Sequence, residues 1–189
     1  MRYRALPVLA MFFLFCAAYA DQARAADAFS LRSADFTSGH SMPLRYSYDR
    51  GGCSGQNISP QLRWSHVPPA TKSFALAVFD PDARNGAGWW HWVMFDIPRG
   101  VRQLSPGAGQ TSDARLGMQA TSSFGTTGYG GPCPPPGDPS HHYVFTLYAL
   151  NVVRLPGATT GMTGAQLLAL LKGHEQGHAQ LTGRFGRRM

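Results

Sequence analysis

Two short segments set residues capable of acid, base or anion-binding chemistry at the ends of apolar runs. The first is Asp80-Pro-Asp-Ala, leading into Gly88-Trp-Trp-His-Trp-Val. The second is Gly128-Tyr-Gly-Gly-Pro-Cys-Pro-Pro-Pro-Gly, leading into His141-His-Tyr-Val-Phe-Thr-Leu-Tyr-Ala-Leu. Carboxylates and imidazoles beside a rigid Gly/Pro loop are what a sheet scaffold uses to present a small polar pocket. Pro81 fixes its own φ and biases Asp80 toward an extended conformation, so Asp80 and Asp82 leave a strand end with little freedom. Either aspartate can also cap the turn that follows; for Asp82 the two roles are equally open, whereas Asp80 is assigned to the pocket. On a period of two, Trp89 and His91 share one face and Trp90 and Trp92 the other, while His141 shares a face with Tyr143 and His142 points away.

The same residues bear on rival chemistries. Asp, His and Tyr in one pocket suit acid/base work and leave a hydrolase as the alternative function, but neither an activated nucleophile nor an oxyanion hole can be named, so no enzyme is expected. Gly51-Gly-Cys-Ser-Gly lacks the spacing and strand-to-helix context of a nucleophile elbow. Zinc at Asp80, His91 and His141 has no His-Glu-x-x-His motif behind it, and adjacent His141 and His142 cannot chelate from one strand face. Prolines after Gly128-x-Gly130-Gly131 occupy the place where a dinucleotide loop needs a helix to begin. No metal and no cofactor are expected.

The elements that must position these residues are mostly strands. Apolar and aromatic runs at 44–48, 62–67, 74–79, 91–97, 143–153 and 178–185 alternate with Gly/Pro/Asn/Asp punctuation. Those at 74–79 and 144–150 are nearly continuous, as in strands covered on both faces of a sandwich. One helix is expected, capped by Thr163, running from Ala165 to Leu171 and ending near Gly173. Residues 99–140 form a long irregular stretch of the kind that is usually functional.

Together with Gly52-Cys-Ser-Gly-Gln-Asn-Ile-Ser-Pro, Leu62-Arg-Trp and Thr71-Lys-Ser-Phe-Ala-Leu, the two segments resemble the phosphatidylethanolamine-binding protein family. This family is also called the Raf kinase inhibitor protein family, and the likeness is to its bacterial branch. The resemblance implies a mainly β, Greek-key antiparallel β-sandwich with a few peripheral helices. It implies a pocket for phosphate or phosphorylated, anionic or zwitterionic head groups, lined by Asp80, Trp89, His91, Gly131, Pro132, His141 and Tyr143, with Asp82 and Pro134 as secondary members. Two imidazoles and a phenol would donate to the phosphate, with Asp80 orienting an imidazole. An inhibitory role toward a protein partner belongs to the same inheritance.

Length and charge bound the remainder. The chain of 189 residues fits one domain. Arg2 and Arg4, the apolar run from Ala5 to Ala18 and the small residues around Ala20 and Ala25 read as a signal peptide over residues 1–25, with the binding domain over 26–189. The run is shorter than the roughly 20 residues of a membrane span, so a periplasmic or secreted protein is expected. Cleavage would lower the net charge from +7 to +5. Basic residues are scattered except for Arg184, Arg187 and Arg188, a pattern that argues against a nucleic-acid partner. With Cys16 lost, Cys53 and Cys133 remain in an oxidising compartment, where a bridge is the simplest reading and two separate thiols the alternative.

Overall fold

The computed structural model describes residues 28–189; the leader assigned to residues 1–25 lies outside the described residues. Among these residues the order of strands is β1 (Ser30–Arg32), β2 (Leu62–Ser65), β3 (Ser73–Asp80), β4 (Trp89–Pro98), β5 (Gln103–Leu104), β6 (Met118–Gln119), β7 (His141–Leu150) and β8 (Glu175–Phe185), with an α-helix, α1 (Gly164–Leu170), before β8. Two antiparallel sheets result, β1-β2-β5 and β6-β4-β3-β7-β8. This is the β-sandwich expected from the strand spacing.

The near-continuous apolar strands are buried on both faces for a definite reason. Phe74, Leu76, Val78, Phe145 and Leu147 meet Leu62, Trp64 and Leu104 of the smaller sheet in the inter-sheet core. Ala75, Val93, Phe95 and Leu150 pack on the other side against Leu155, Leu167 and Leu171. Helix α1 thus covers the outer face of the large sheet, and its start is secured by a capping box between Thr163 and Gln166.

Two sequence expectations fail locally. Residues 44–48 alternate like a strand, yet Leu44–Tyr46 is a 3-10 turn, closed by Ser47 Oγ and N–H donating to the Leu44 carbonyl, with Tyr46 buried and Leu44 exposed. The local Ser hydrogen bond offers the backbone a partner that competes with a ladder. Trp90 and Trp92 also do not share a face. Val78 pairs with Trp92 but Phe79 pairs with Trp90, so one extra residue, His91, enters β4 at a β-bulge. Trp92 therefore lies in the inter-sheet core against Tyr129, while Trp90 packs on Phe79 at 4.4 Å beneath the start of α1. Strict alternation breaks wherever a bulge adds a residue.

Candidate ligand-binding site

Asp80 ends β3, the bulged His91 lies near the start of β4, and His141 with Tyr143 opens β7. Because β3 lies between β4 and β7, these side chains converge at one end of the large sheet. They line a cavity of about 540 Å3 with Trp89, Asp82, Cys133 and Pro134. Asp80, His91, His141 and Tyr143 are all buried.

The polar atoms are closely specified. Asp80 Oδ1 accepts the N–H groups of Asp82 (2.9 Å) and Ala83 (3.1 Å), and Oδ2 accepts Nδ1–H of His141 at 2.8 Å. The turn cap that sequence allowed for either aspartate therefore falls to Asp80, which performs it while facing the cavity. Asp82 instead crosses to β7, accepting both the backbone N–H and Nδ1–H of exposed His142 at 2.7 and 2.8 Å. Those bonds hold the Asp82 carboxyl below its ordinary pKa despite some burial. The Asp-Pro-Asp segment thus staples the end of β3 to the start of β7 through two parallel aspartate–histidine pairs.

His91 is fixed differently. Its Nδ1 lies 2.6 Å from the Gly130 carbonyl, an acceptor only, so Nδ1 carries the proton. Burial pushes its pKa down to about 4, against the opposing pull of the Gly130 carbonyl and Asp80. At neutral pH the ring is therefore uncharged, and Nε2 presents a lone pair 4.0 Å from Asp80 Oδ2. His141, bonded through Nδ1–H to Asp80, turns Nε2 outward, 3.8 Å from Asp138 Oδ2. His91, expected as a donor to an anion, therefore faces the cavity as an acceptor unless a proton is added. Tyr143 keeps its proton, because burial and the nearby Asp80 charge raise its pKa strongly.

The Gly/Pro loop is tied down on every side. Cys133 is bridged to Cys53, with the two Cα atoms 5.9 Å apart. Arg187 donates to the carbonyls of Pro134 and Gly52, each at 2.6 Å. Gly131 donates its N–H to Asn57 Oδ1, and Pro132 accepts from Tyr48 N–H. Gly131 and Pro132 sit behind the cavity rather than on its lining. A Cβ on Gly131 would lie 2.3 Å from the Tyr46 carbonyl oxygen, so glycine is what allows the loop to pack against the 46–48 backbone.

Sequence reasoning missed Tyr48, Arg84, Phe124 and Asp138, which also line the cavity. Phe124 packs edge-on against Trp89 (5.4 Å) and His91 (5.5 Å). Arg84 stacks over Trp89 at 4.6 Å and is the lining's cationic side chain apart from the histidines. Its position in a left-handed turn with Asn85, at φ near 53° and 54°, carries no sequence signal beyond the preceding Asp-Pro-Asp. Among the described residues no group of three or more His, Cys, Asp and Glu is arranged to hold a metal ion, and no helix is long and apolar enough to cross a membrane.

The family model for phosphatidylethanolamine-binding protein matches residues 32–186. The UPF0098 protein YbcL of Escherichia coli is 39% identical over 160 residues, covering 83% of this chain and 87% of the relative. LppC of Mycobacterium tuberculosis, which carries a lipoprotein name, is 38% identical over 167 residues, covering 86% of this chain and 75% of that protein. The crystal structure of E. coli YbcL, described as a member of the mammalian PEBP family, superposes with a TM-score of 0.79 at 37% identity, covering 85% of this chain and 99% of that one. The chain belongs to the phosphatidylethanolamine-binding protein family and is a binding protein of that class.

Proposed function

We propose that the protein is exported and binds a phosphate or phosphorylated head group in the Asp80/His91/His141/Tyr143 cavity. The observation that carries this reading is the convergence of those four buried polar side chains from three adjacent strands on one cavity with a cross-linked rim. The leader sequence and the lipoprotein name of a relative support export. Among the described lining residues the hydrolytic alternative finds no side-chain nucleophile, since Cys133 is oxidised and no serine or threonine faces the aspartate–histidine pair.

The arrangement of protons narrows the ligand. The His91 lone pair and three nearby carboxylates repel a bare dianion. An anion is accommodated when it brings a proton or when binding protonates an imidazole, with Tyr143 donating throughout. A zwitterion of the kind in the family's name fits as well, its phosphoryl group toward His91, His141 and Arg84 and its ammonium toward Asp82 or Asp138 at the rim.

The test is NMR titration of the histidine rings with inorganic phosphate and phosphoethanolamine. His91→Ala and His141→Ala should each weaken binding by about 1–3 kcal/mol, the range of hydrogen bonds to charged groups, while His142→Ala should change it little. Absence of any response at His91 and His141 would remove the assignment.

A further inference from the structure

A second chamber adjoins the first. It encloses about 500 Å3, and Tyr48 and Phe124, with ring centroids 4.7 Å apart, form the partition because both line both spaces. The chemistry on its side is different. The hydroxyls of Ser112, Thr126 and Thr127 and the Nδ2 group of Asn57 line it without a hydrogen bond to any other described residue. Its charged members, Asp49 and Arg50, lie 3.8 Å apart on the exposed rim and offset each other.

Such a lining suits a neutral group rich in hydroxyls. The uncommitted hydroxyls can both donate and accept and the amide NH2 of Asn57 can donate, matching a polyol at its oxygens. The faces of Tyr48 and Phe124 offer apolar area for its C–H surface. A second anion gains nothing there, because the rim charges cancel.

We propose that the ligand is a phosphorylated polyol, with its phosphoryl group in the Asp80/His91/His141 cavity and its hydroxyl-bearing part across the Tyr48–Phe124 partition in the second chamber. The assignment rests on the phosphoryl reading of the first cavity and adds the class of the attached group. The source can be a lipid head group or a soluble ester, which share this chemistry.

Calorimetry near pH 6 with methyl phosphate, phosphoethanolamine and inositol 1-phosphate separates these claims. Inositol 1-phosphate should bind at least about tenfold more tightly than methyl phosphate, the worth of one or two net hydrogen bonds. Ser112→Ala combined with Thr126→Val and Thr127→Val, all exposed positions, should abolish that advantage and leave methyl phosphate binding unchanged. Equal affinity for the two esters, or an advantage that survives the triple variant, overturns the polyol assignment alone. Failure of every phosphate ester to bind overturns the phosphoryl reading and this one with it. If the esters behave as expected, retention on vesicles containing phosphatidylinositol but not on pure phosphatidylcholine vesicles points to the lipid source, and binding of the soluble ester alone points to the other.

Discussion

Asp80→Ala and Asp80→Asn, taken together, test how the site is built. Asp80 is 2% exposed and accepts three hydrogen bonds, from Asp82 N–H, Ala83 N–H and His141 Nδ1–H. Alanine leaves all three donors without their partner in a buried place, and each buried donor left unsatisfied costs about 1–3 kcal/mol. A domain typically has only about 5–15 kcal/mol in total, so this variant should be marginal. Asparagine keeps Oδ1 for the two backbone donors and replaces a charge-assisted bond by a neutral one, a loss of about 1 kcal/mol. Its amide nitrogen cannot accept from His141 Nδ1–H, which forces His141 into the Nε2–H tautomer and turns a donor toward the cavity. Urea denaturation at pH 7 measures the first two values, and long-range 15N–1H NMR of the imidazole reads the tautomer. Equal losses for the two variants, or an unchanged His141 tautomer in Asp80→Asn, would refute the proposed hydrogen-bond arrangement.

Other outcomes follow from neighbouring features. The His91 pKa is depressed in the folded state to about 4 from an ordinary 6.5, so its contribution is fully present above pH 6.5 and is lost as pH falls toward 4; His91→Gln should flatten stability across that window, measured by thermal melts at each pH. Phosphate affinity should rise as pH falls from about 7.5 to 5.5 if binding takes up a proton, and a pH-independent calorimetric affinity would contradict the acceptor assignment of His91 Nε2. Reduction of Cys53–Cys133, which spans 80 residues of chain, should lower stability by about 4 kcal/mol in the chain-entropy account, read by urea midpoints with and without a dithiol. Gly131→Ala drives a Cβ into the backbone of Tyr46 and Ser47; it should cost about 1–3 kcal/mol and displace the Gly130 carbonyl from His91, seen as a shifted His91 Nδ1–H resonance.

The strands were legible because two-sided burial leaves a plain signature, as in Ser73–Asp80, where every residue but Phe79 is buried. Helix α1 was legible because Thr163 supplies a cap ahead of leucines at helical spacing, with Gly173 beyond them. Alternation put His141 and His142 on opposite faces, as the regular pairing at the start of β7 has them, while the choice of His141 for the cavity came from the family resemblance. Alternation misled at Trp90 and Trp92 because the bulge at His91 arises from tertiary pairing, and no residue type announces it. The imidazole tautomers were equally hidden, since they depend on Gly130, 39 residues distant, and Asp80, 61 residues distant. Tyr48, Arg84 and Phe124 reach the cavity from turns and loops whose backbone conformation local sequence does not specify.

The bridge at the rim of the site also bears on how the chain reaches its native state. Residues 28–189 contain two cysteines, Cys53 and Cys133. An oxidising environment can therefore form only one intramolecular pair within them, and that pair is the native one. No scrambled isomer competes and no reshuffling through an isomerase is required, although reshuffling is what makes oxidative folding of multi-disulfide proteins slow. The rim of the ligand cavity is thus completed in a single chemical step, and its yield depends on the supply of oxidant.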